Sequence, residues 1–145
     1  MNPELRDRWL ERAHQRTDRA GFRSGAARTA VIEVLARDGQ CLLTAQEIIE
    51  RVRARGSGSA ASVYRIIDQL FGLGLLHRLD GRDGVARYEI ADPEHHHHHF
   101  VDEATGTVAA FADADLERAI EGAAARLGLE LTGHDIVLRG TRRPR

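Results

Sequence analysis

Along residues 3–19 the apolar positions Leu5, Trp9, Leu10 and Ala13 recur at helical spacing, and Pro3 suits a first turn. Gly21 and Gly25 bracket a short connection containing Phe22 and Arg23. A second helix follows, with Ala30, Val31, Val34 and Leu35 on its apolar side, and Asp38-Gly39 ends it. Thr44 is a good N-cap, and Glu47 three residues on completes a capping box. The helix it opens carries Ile48, Ile49 and Val52 inward and stops before Gly56. Gly56-Ser57-Gly58-Ser59 is a turn, and Ser59 or Ala60 opens a fourth helix. Val63, Ile66, Ile67, Leu70 and Leu73 form its buried stripe, Ser62, Arg65 and Gln69 lie nearer the exposed side, and Gly74 ends it. Two strand-like stretches, residues 76–79 and 86–90, then flank the turn DGRDG. Three helices followed by a hairpin predict a winged-helix arrangement. Its last helix enters a major groove and its wing lies beside the DNA backbone.

Asp92-Pro93-Glu94 marks a boundary, which gives domains 1–91 and 92–145. Five consecutive histidines at 95–99 lead into Phe100-Val101, and 107–111 reads as a second strand across the turn EATG. Asp113 caps a helix with Leu116, Ile120, Ala123 and Leu127 on one face, stopped by Gly128. Residues 129–139 contain a last strand with Ile136 and Leu138 alternating. A three-stranded sheet with one helix is too small to bury both its faces alone, so this half is predicted to pair with a copy of itself. The fold class is α+β: an N-terminal winged-helix DNA-binding domain followed by a small α/β dimerisation domain. No internal repeats occur, and TRRPR is a terminal basic tail.

Composition bounds the possibilities. The chain has 145 residues, 42% hydrophobic and 30% charged, as expected for one domain or two small ones. The formal charge of -1 hides an asymmetry. Residues 1–91 hold 15 Arg against 12 Asp and Glu, a net of +3, whereas 92–145 hold 6 against 10, a net of -4. A polyanion-binding half joined to a cation-binding half fits that division. There is no Lys, and Arg suits bidentate phosphate and guanine contacts. The single Cys41 excludes an intrachain disulfide and any multi-cysteine zinc site. Neither a long apolar run nor a signal-like start appears, so a cytoplasmic protein without membrane partner is expected.

Imidazole is the commonest transition-metal ligand. In an extended strand successive side chains alternate faces about every 3.3 Å. His97 and His99 then project to one face and His96 and His98 to the other, so the run supplies two metal sites back to back. Purification tags sit at termini, whereas this run is internal. A solvated polar loop with adventitious metal affinity is the plain alternative.

The stretches AGFRSGAARTAVIEVL, LTAQEI, ASVYRIIDQLFGLGLLHRL, YEI, the histidine run, EATG and LTGH stand in a fixed order across residues 5–140. In that order and spacing the chain resembles the Fur superfamily of metal-dependent bacterial repressors, which includes iron, zinc, manganese and peroxide sensors. One departure is large. Many members carry two C-x-x-C pairs that form a structural zinc site. Here the first pair's positions are Asp102 and Thr105, and no Cys follows Gly140. The resemblance therefore implies a member without that zinc, stabilised by sheet packing and dimer burial.

The resemblance implies a regulatory metal site at Glu89, His97 and His99. The histidine that iron-type members place in the N-terminal domain aligns near Leu42, which cannot bind metal, and His77 aligns with a zinc-type ligand position. Three nitrogens and one carboxylate suit a tetrahedral ion. Such an ion would tie the DNA-binding domain to the dimerisation sheet and set the spacing of two recognition helices against half-sites about 34 Å apart. A second site follows from His96, Glu117 and His134, with His98 standing where several members have Asp. Tyr64 and Arg65 match the family's recognition-helix pair, and Arg23 matches a minor-groove reader. Ser62 and Arg28 are expected at phosphates.

The implied function is a metal-responsive, homodimeric repressor of operator DNA that controls zinc or iron uptake genes. Its cofactor is Zn2+, with Fe2+ or Mn2+ open. A peroxide-sensing relative and a winged-helix regulator with a purely structural metal are the alternatives. A zinc hydrolase reading finds no H-E-x-x-H, no nucleophile elbow and no glycine-rich phosphate loop, and it leaves the N-terminal half unexplained. No enzyme activity and no small-molecule substrate are expected.

Overall fold

The computed structural model describes residues 2–39, 41–92 and 96–144, and the chain divides into two compact units, Met1–His95 and His96–Arg145. Of the expected boundary, Pro93 and Glu94 lie outside the described residues, as does His95.

In the first unit α1 (Pro3–Arg19) starts at Asn2, whose side chain accepts from the Glu4 and Leu5 amides. Its Trp9 and Ala13 are fully buried. The Trp9 indole N–H donates to the Leu75 carbonyl at 2.8 Å, and the Ala91 amide donates to that same carbonyl at 2.9 Å. One oxygen therefore holds both α1 and the segment leaving the hairpin. The central helix α2 (Ala26–Asp38) buries Ala30, Val31, Ile32, Val34, Leu35 and Ala36. A helix apolar on nearly every side belongs in the middle of a core.

The expected capping box is present. The Glu47 amide donates to Thr44 Oγ1 at 3.1 Å, and the Thr44 amide donates to Glu47 Oε2 at 2.7 Å, at the start of α3 (Ala45–Ala54). Helix α4 (Ala60–Gly72) begins at Ser59 and buries Val63, Ile66, Ile67 and Leu70. Leu73 is only partly buried, and it is the C-cap itself. Gly74, at φ +70°, follows in the left-handed conformation that closes a Schellman motif. The Leu75 amide then reaches the Leu70 carbonyl at 3.0 Å, and the Gly74 amide reaches Phe71 at 2.9 Å.

The wing consists of β2 (Leu76–Asp80) and β3 (Ala86–Ile90), paired antiparallel with His77 opposite Glu89. A two-residue strand, β1 (Leu43–Thr44), adds to the other edge of β3 and completes the order β1-β3-β2. Periodicity overlooks β1 because two residues carry no period. Beyond Glu89 the chain is tied down at once. The Ile90 amide donates to the Gly39 carbonyl at 2.8 Å, and Arg8 pairs with Asp92 at 3.1 Å.

The second unit is a sheet in the order β5-β4-β6, where β4 is His98–Asp102, β5 Val108–Phe111 and β6 Val137–Gly140. β4 runs antiparallel to β5 and parallel to β6. The strand begins only at His98, yet the alternation holds: His96 and His98 rings lie 4.6 Å apart, and His97 and His99 rings 5.1 Å apart. Helix α5 (Ala114–Leu127) is capped by Asp113, whose side chain accepts from the Leu116 amide, and ends at left-handed Gly128. Ile136 precedes β6, with its carbonyl accepting from the His99 amide at 3.1 Å. Asp102 and Thr105, standing at expected cysteine positions, close the β4–β5 turn by hydrogen bonds. Asp102 Oδ1 accepts from the Ala104 amide at 2.9 Å, and the Thr105 and Thr107 hydroxyls meet at 2.7 Å.

Replacing Trp9 with alanine removes the largest fully buried side chain of the first unit. The expected loss is about 3–5 kcal/mol, read as a lower midpoint in urea unfolding of the full chain followed by far-ultraviolet circular dichroism.

Candidate metal centre and nucleic-acid interface

Four side chains of the second unit converge. His98 opens β4, His96 precedes it, Glu117 sits in the first turn of α5, and His134 lies on the connection to β6. Nε2 of His98 lies 2.5 Å from Glu117 Oε1, and Nε2 of His134 lies 2.8 Å from Oε2 of the same carboxylate. Nε2 of His96 is 3.1 Å from Nε2 of His134. One ligand atom from each of the four lies within 4.8 Å of the others. His98 is 1% exposed, and its Nδ1 is buried with no hydrogen-bond partner.

Three imidazole Nε2 atoms and a carboxylate gathered this closely could hold a transition-metal ion. Zinc–nitrogen bonds of about 2.0–2.1 Å place two tetrahedral nitrogens about 3.3 Å apart, close to the His96–His134 separation. Protonation states also favour an ion. The hydrogen bond with His98, reinforced by the His134 charge, holds the Glu117 carboxyl below its ordinary value despite desolvation. Burial, followed by repulsion from His134 and His98, pushes the His96 imidazole down against the pull of Glu117. Each shift keeps its group in the lone-pair-bearing form that a metal requires.

The other expected set is divided between the units. In the second, the His97 and His99 rings stand side by side on the face opposite His96 and His98. In the first, His77 is exposed on β2, and its cross-strand neighbour Glu89 is buried at 2% exposure.

On the nucleic-acid side, α4 presents Tyr64, half exposed, with Arg65 exposed beside it and Ser62 one turn nearer the N-terminus. Arg23 is exposed just before α2. Arg28 departs from expectation. It is 7% exposed, donates through Nη2 to Asp18 at 2.7 Å and through Nη1 to the Phe22 carbonyl at 2.9 Å. Its charge is used internally, at the corner between α1 and α2, so it is reassigned from an open phosphate contact to a structural cation. The helix expected after Gly25 begins at Ala26, with Gly25 in the N-cap place and no side-chain cap.

A winged helix with an exposed reading face, followed by an α/β unit that gathers histidines and a carboxylate, defines a metal-responsive transcription regulator. Residues 19–139 match the Ferric uptake regulator family. The ferric uptake regulation protein of Pseudomonas putida is 33% identical over 123 residues, which is 83% of this chain and 90% of that protein. The ferric uptake regulator of Pseudomonas aeruginosa solved with manganese aligns at a TM-score of 0.80 and 26% identity, covering 90% of this chain and 98% of that one. The Helicobacter pylori ferric uptake regulator, described with three functional metal binding sites, aligns at 0.79 and 27% identity, over 95% and 91%. The chain belongs to the ferric uptake regulator family. No helix among the described residues is long and apolar enough to cross a membrane.

Replacing Glu117 with alanine is expected to weaken zinc binding about 100-fold or more, beyond the usual cost of losing even a supporting partner; competition with a chromophoric chelator measures it. Because Glu117 and His96 both keep their metal-binding forms to lower pH than usual, zinc should be released on acidification only below about pH 6.5, the ordinary imidazole value.

Proposed function

We propose that this chain is a homodimeric, metal-gated repressor of operator DNA, with the His96, His98, Glu117 and His134 cluster as one of its two metal sites. The reading is carried by Nε2 of His98 and of His134 on the Glu117 carboxylate, with Nε2 of His96 beside that of His134. Zinc is the ion assigned, because three imidazoles with one carboxylate match its tetrahedral preference. Iron in the cell is the competing assignment, since affinity order alone does not select the cellular metal.

The second, regulatory ion takes His77, Glu89, His97 and His99. Support comes from the cross-strand pairing of His77 with Glu89 and from the adjacent rings of His97 and His99. A cation shared by these four would fix the pose of the DNA-binding unit relative to the dimerisation unit. Without it, operator affinity would fall by the fraction of molecules in the competent pose.

Dimerisation is supported by the surface of the second unit. Leu127, Leu129, Leu131 and Leu138 are 72%, 57%, 41% and 49% exposed, and the sheet is too small to cover them. A second copy is the natural cover. Tyr64 and Arg65 read bases or backbone from the exposed side of α4, and Arg23 and Ser62 flank them.

Duplexes selected by the zinc-loaded protein from a random pool provide the test. Binding in a gel shift should disappear when a chelator strips the metal and return on zinc addition, while equal binding by the stripped protein would overturn the gated reading. Arg65→Ala should weaken binding and lower the slope of log affinity against log salt by about 1, the share of one phosphate contact.

A further inference from the structure

We propose that α1 braces the wing against the recognition helix α4, with Arg8 and Arg12 as positioning residues that act through Ala91 and Asp92. The proposal rests on DNA binding by the winged helix, and it adds to that function residues that need not touch DNA.

Helix α4 and the wing meet at Leu75. The Leu75 amide donates to the Leu70 carbonyl at the end of α4, and β2 starts at the next residue. The Leu75 carbonyl accepts twice, from the Ala91 amide at 2.9 Å and from the Trp9 indole of α1 at 2.8 Å. Both ends of the hairpin are therefore joined at one peptide, and α1 holds that peptide.

Arg8 and Arg12, one helical turn apart, flank the buried stripe of Leu5, Trp9 and Ala13. Arg12 donates through Nη2 to the Ala91 carbonyl. Arg8 donates through Nη2 to Asp92 Oδ2 at 3.1 Å, and Arg12 Nη1 lies 4.0 Å from Oδ1. Three consecutive polar groups of the chain leaving β3 are thus tied to α1. They are the Ala91 amide (through Leu75), the Ala91 carbonyl and the Asp92 carboxylate.

The tie is one-sided. The Asp92 side chain is 2% exposed, whereas both arginines are partly exposed. A carboxylate that deep keeps its charge only beside cations, and α1 supplies two. If the Asp92 charge is removed, the arginines can turn to water. If the arginines are removed, the carboxylate reaches water only by moving the backbone that carries it, which drags the end of β3 outward. That asymmetry separates a brace from an ordinary surface ion pair. A wing that keeps its place only a tenth of the time lowers duplex affinity about tenfold.

The test compares full zinc-loaded chains: wild type, Arg8→Ala with Arg12→Ala, and that pair combined with Asp92→Asn. Residual dipolar couplings of backbone amides read the orientation of β2 and β3 relative to α4. A gel shift reads affinity for the selected duplex. In the double variant the hairpin couplings should depart from the single alignment that fits them together with α4 in wild type, and affinity should fall about tenfold. The slope of log affinity against log salt should stay as in wild type, because no phosphate contact is lost. Adding Asp92→Asn should return the couplings and bring affinity back to within about threefold of wild type. Zinc binding should be unchanged throughout.

A lower melting temperature with couplings and affinity unchanged would make the clasp a stabilising contact only, and the proposal falls. It falls equally if the salt slope drops by about 1 or more, which would make the arginines phosphate contacts, or if Asp92→Asn relieves nothing. If wild type selects no duplex, the DNA-binding reading fails and the couplings alone decide the brace. Should the double variant not fold, Arg8→Ala alone, which leaves Arg12 beside Asp92, must show the same changes at smaller size.

Discussion

The second unit is organised around one carboxylate. Among its described residues only Ala124 is a buried apolar side chain, with His98 and Asp102 the buried polar ones. Taken without a second copy, a unit with so little apolar burial draws little on the hydrophobic term that dominates most small domains. Glu117 instead joins three separate pieces of chain: β4 through His98, its own helix α5, and through His134 the connection to β6. Order here depends on paired polar groups in partly desolvated surroundings. Such groups are costly if left incomplete and cohesive when satisfied. An ion at that point would replace hydrogen bonds between nitrogens and oxygens with stronger coordinate bonds, so metal binding and folding of this unit share one free energy.

The first unit is built on the opposite principle. Trp9, Ile32, Leu35, Ile48, Ile49, Ile67, Leu70 and Leu75 are all essentially inaccessible, and they fix four helices and a hairpin into one rigid body. Helix α4 leaves Tyr64 and Arg65 exposed while Val63, Ile66, Ile67 and Leu70 hold its other side in the core. The same rigidity reaches the end of the hairpin. Hydrogen bonds from Ile90 to Gly39 and from Ala91 to Leu75, with the Arg8–Asp92 ion pair, leave little local freedom just after Glu89. Glu89 is thus held as part of the winged helix rather than on a loose strand end.

The turn between β4 and β5 is secured without cysteine at positions 102 and 105. Asp102 accepts from the Ala104 amide, its own carbonyl accepts from Gly106 at 2.7 Å, and Arg142 of the tail approaches its carboxylate at 4.0 Å. Backbone bonding from Glu103 to Gly140 at 2.9 Å continues the sheet to the end of β6. Ordinary hydrogen bonds therefore secure the turn and the neighbouring chain end, at positions where resemblance to relatives suggests a cysteine-bound ion.

Helix periods, the Thr44–Glu47 box, the Ser59 and Asp113 caps and the glycine stops were legible because each is set by neighbours within four residues. The alternation of the histidine run was legible for the same reason, since side chains two apart on extended backbone share a face. Three features were not. β1 exists only because β3 offers it an edge. Arg28 looked like any surface arginine until the fold turned it toward Asp18 and the Phe22 carbonyl. The spacing between His98, Glu117 and His134 says nothing about distance until β4, α5 and the approach to β6 pack together. Local sequence thus determined which elements form and which residue types each displays, through short-range sterics and capping. Tertiary packing alone decided which charges are used internally, which remain free, and which ligands meet at a point, because those outcomes depend on contacts between residues far apart in the chain.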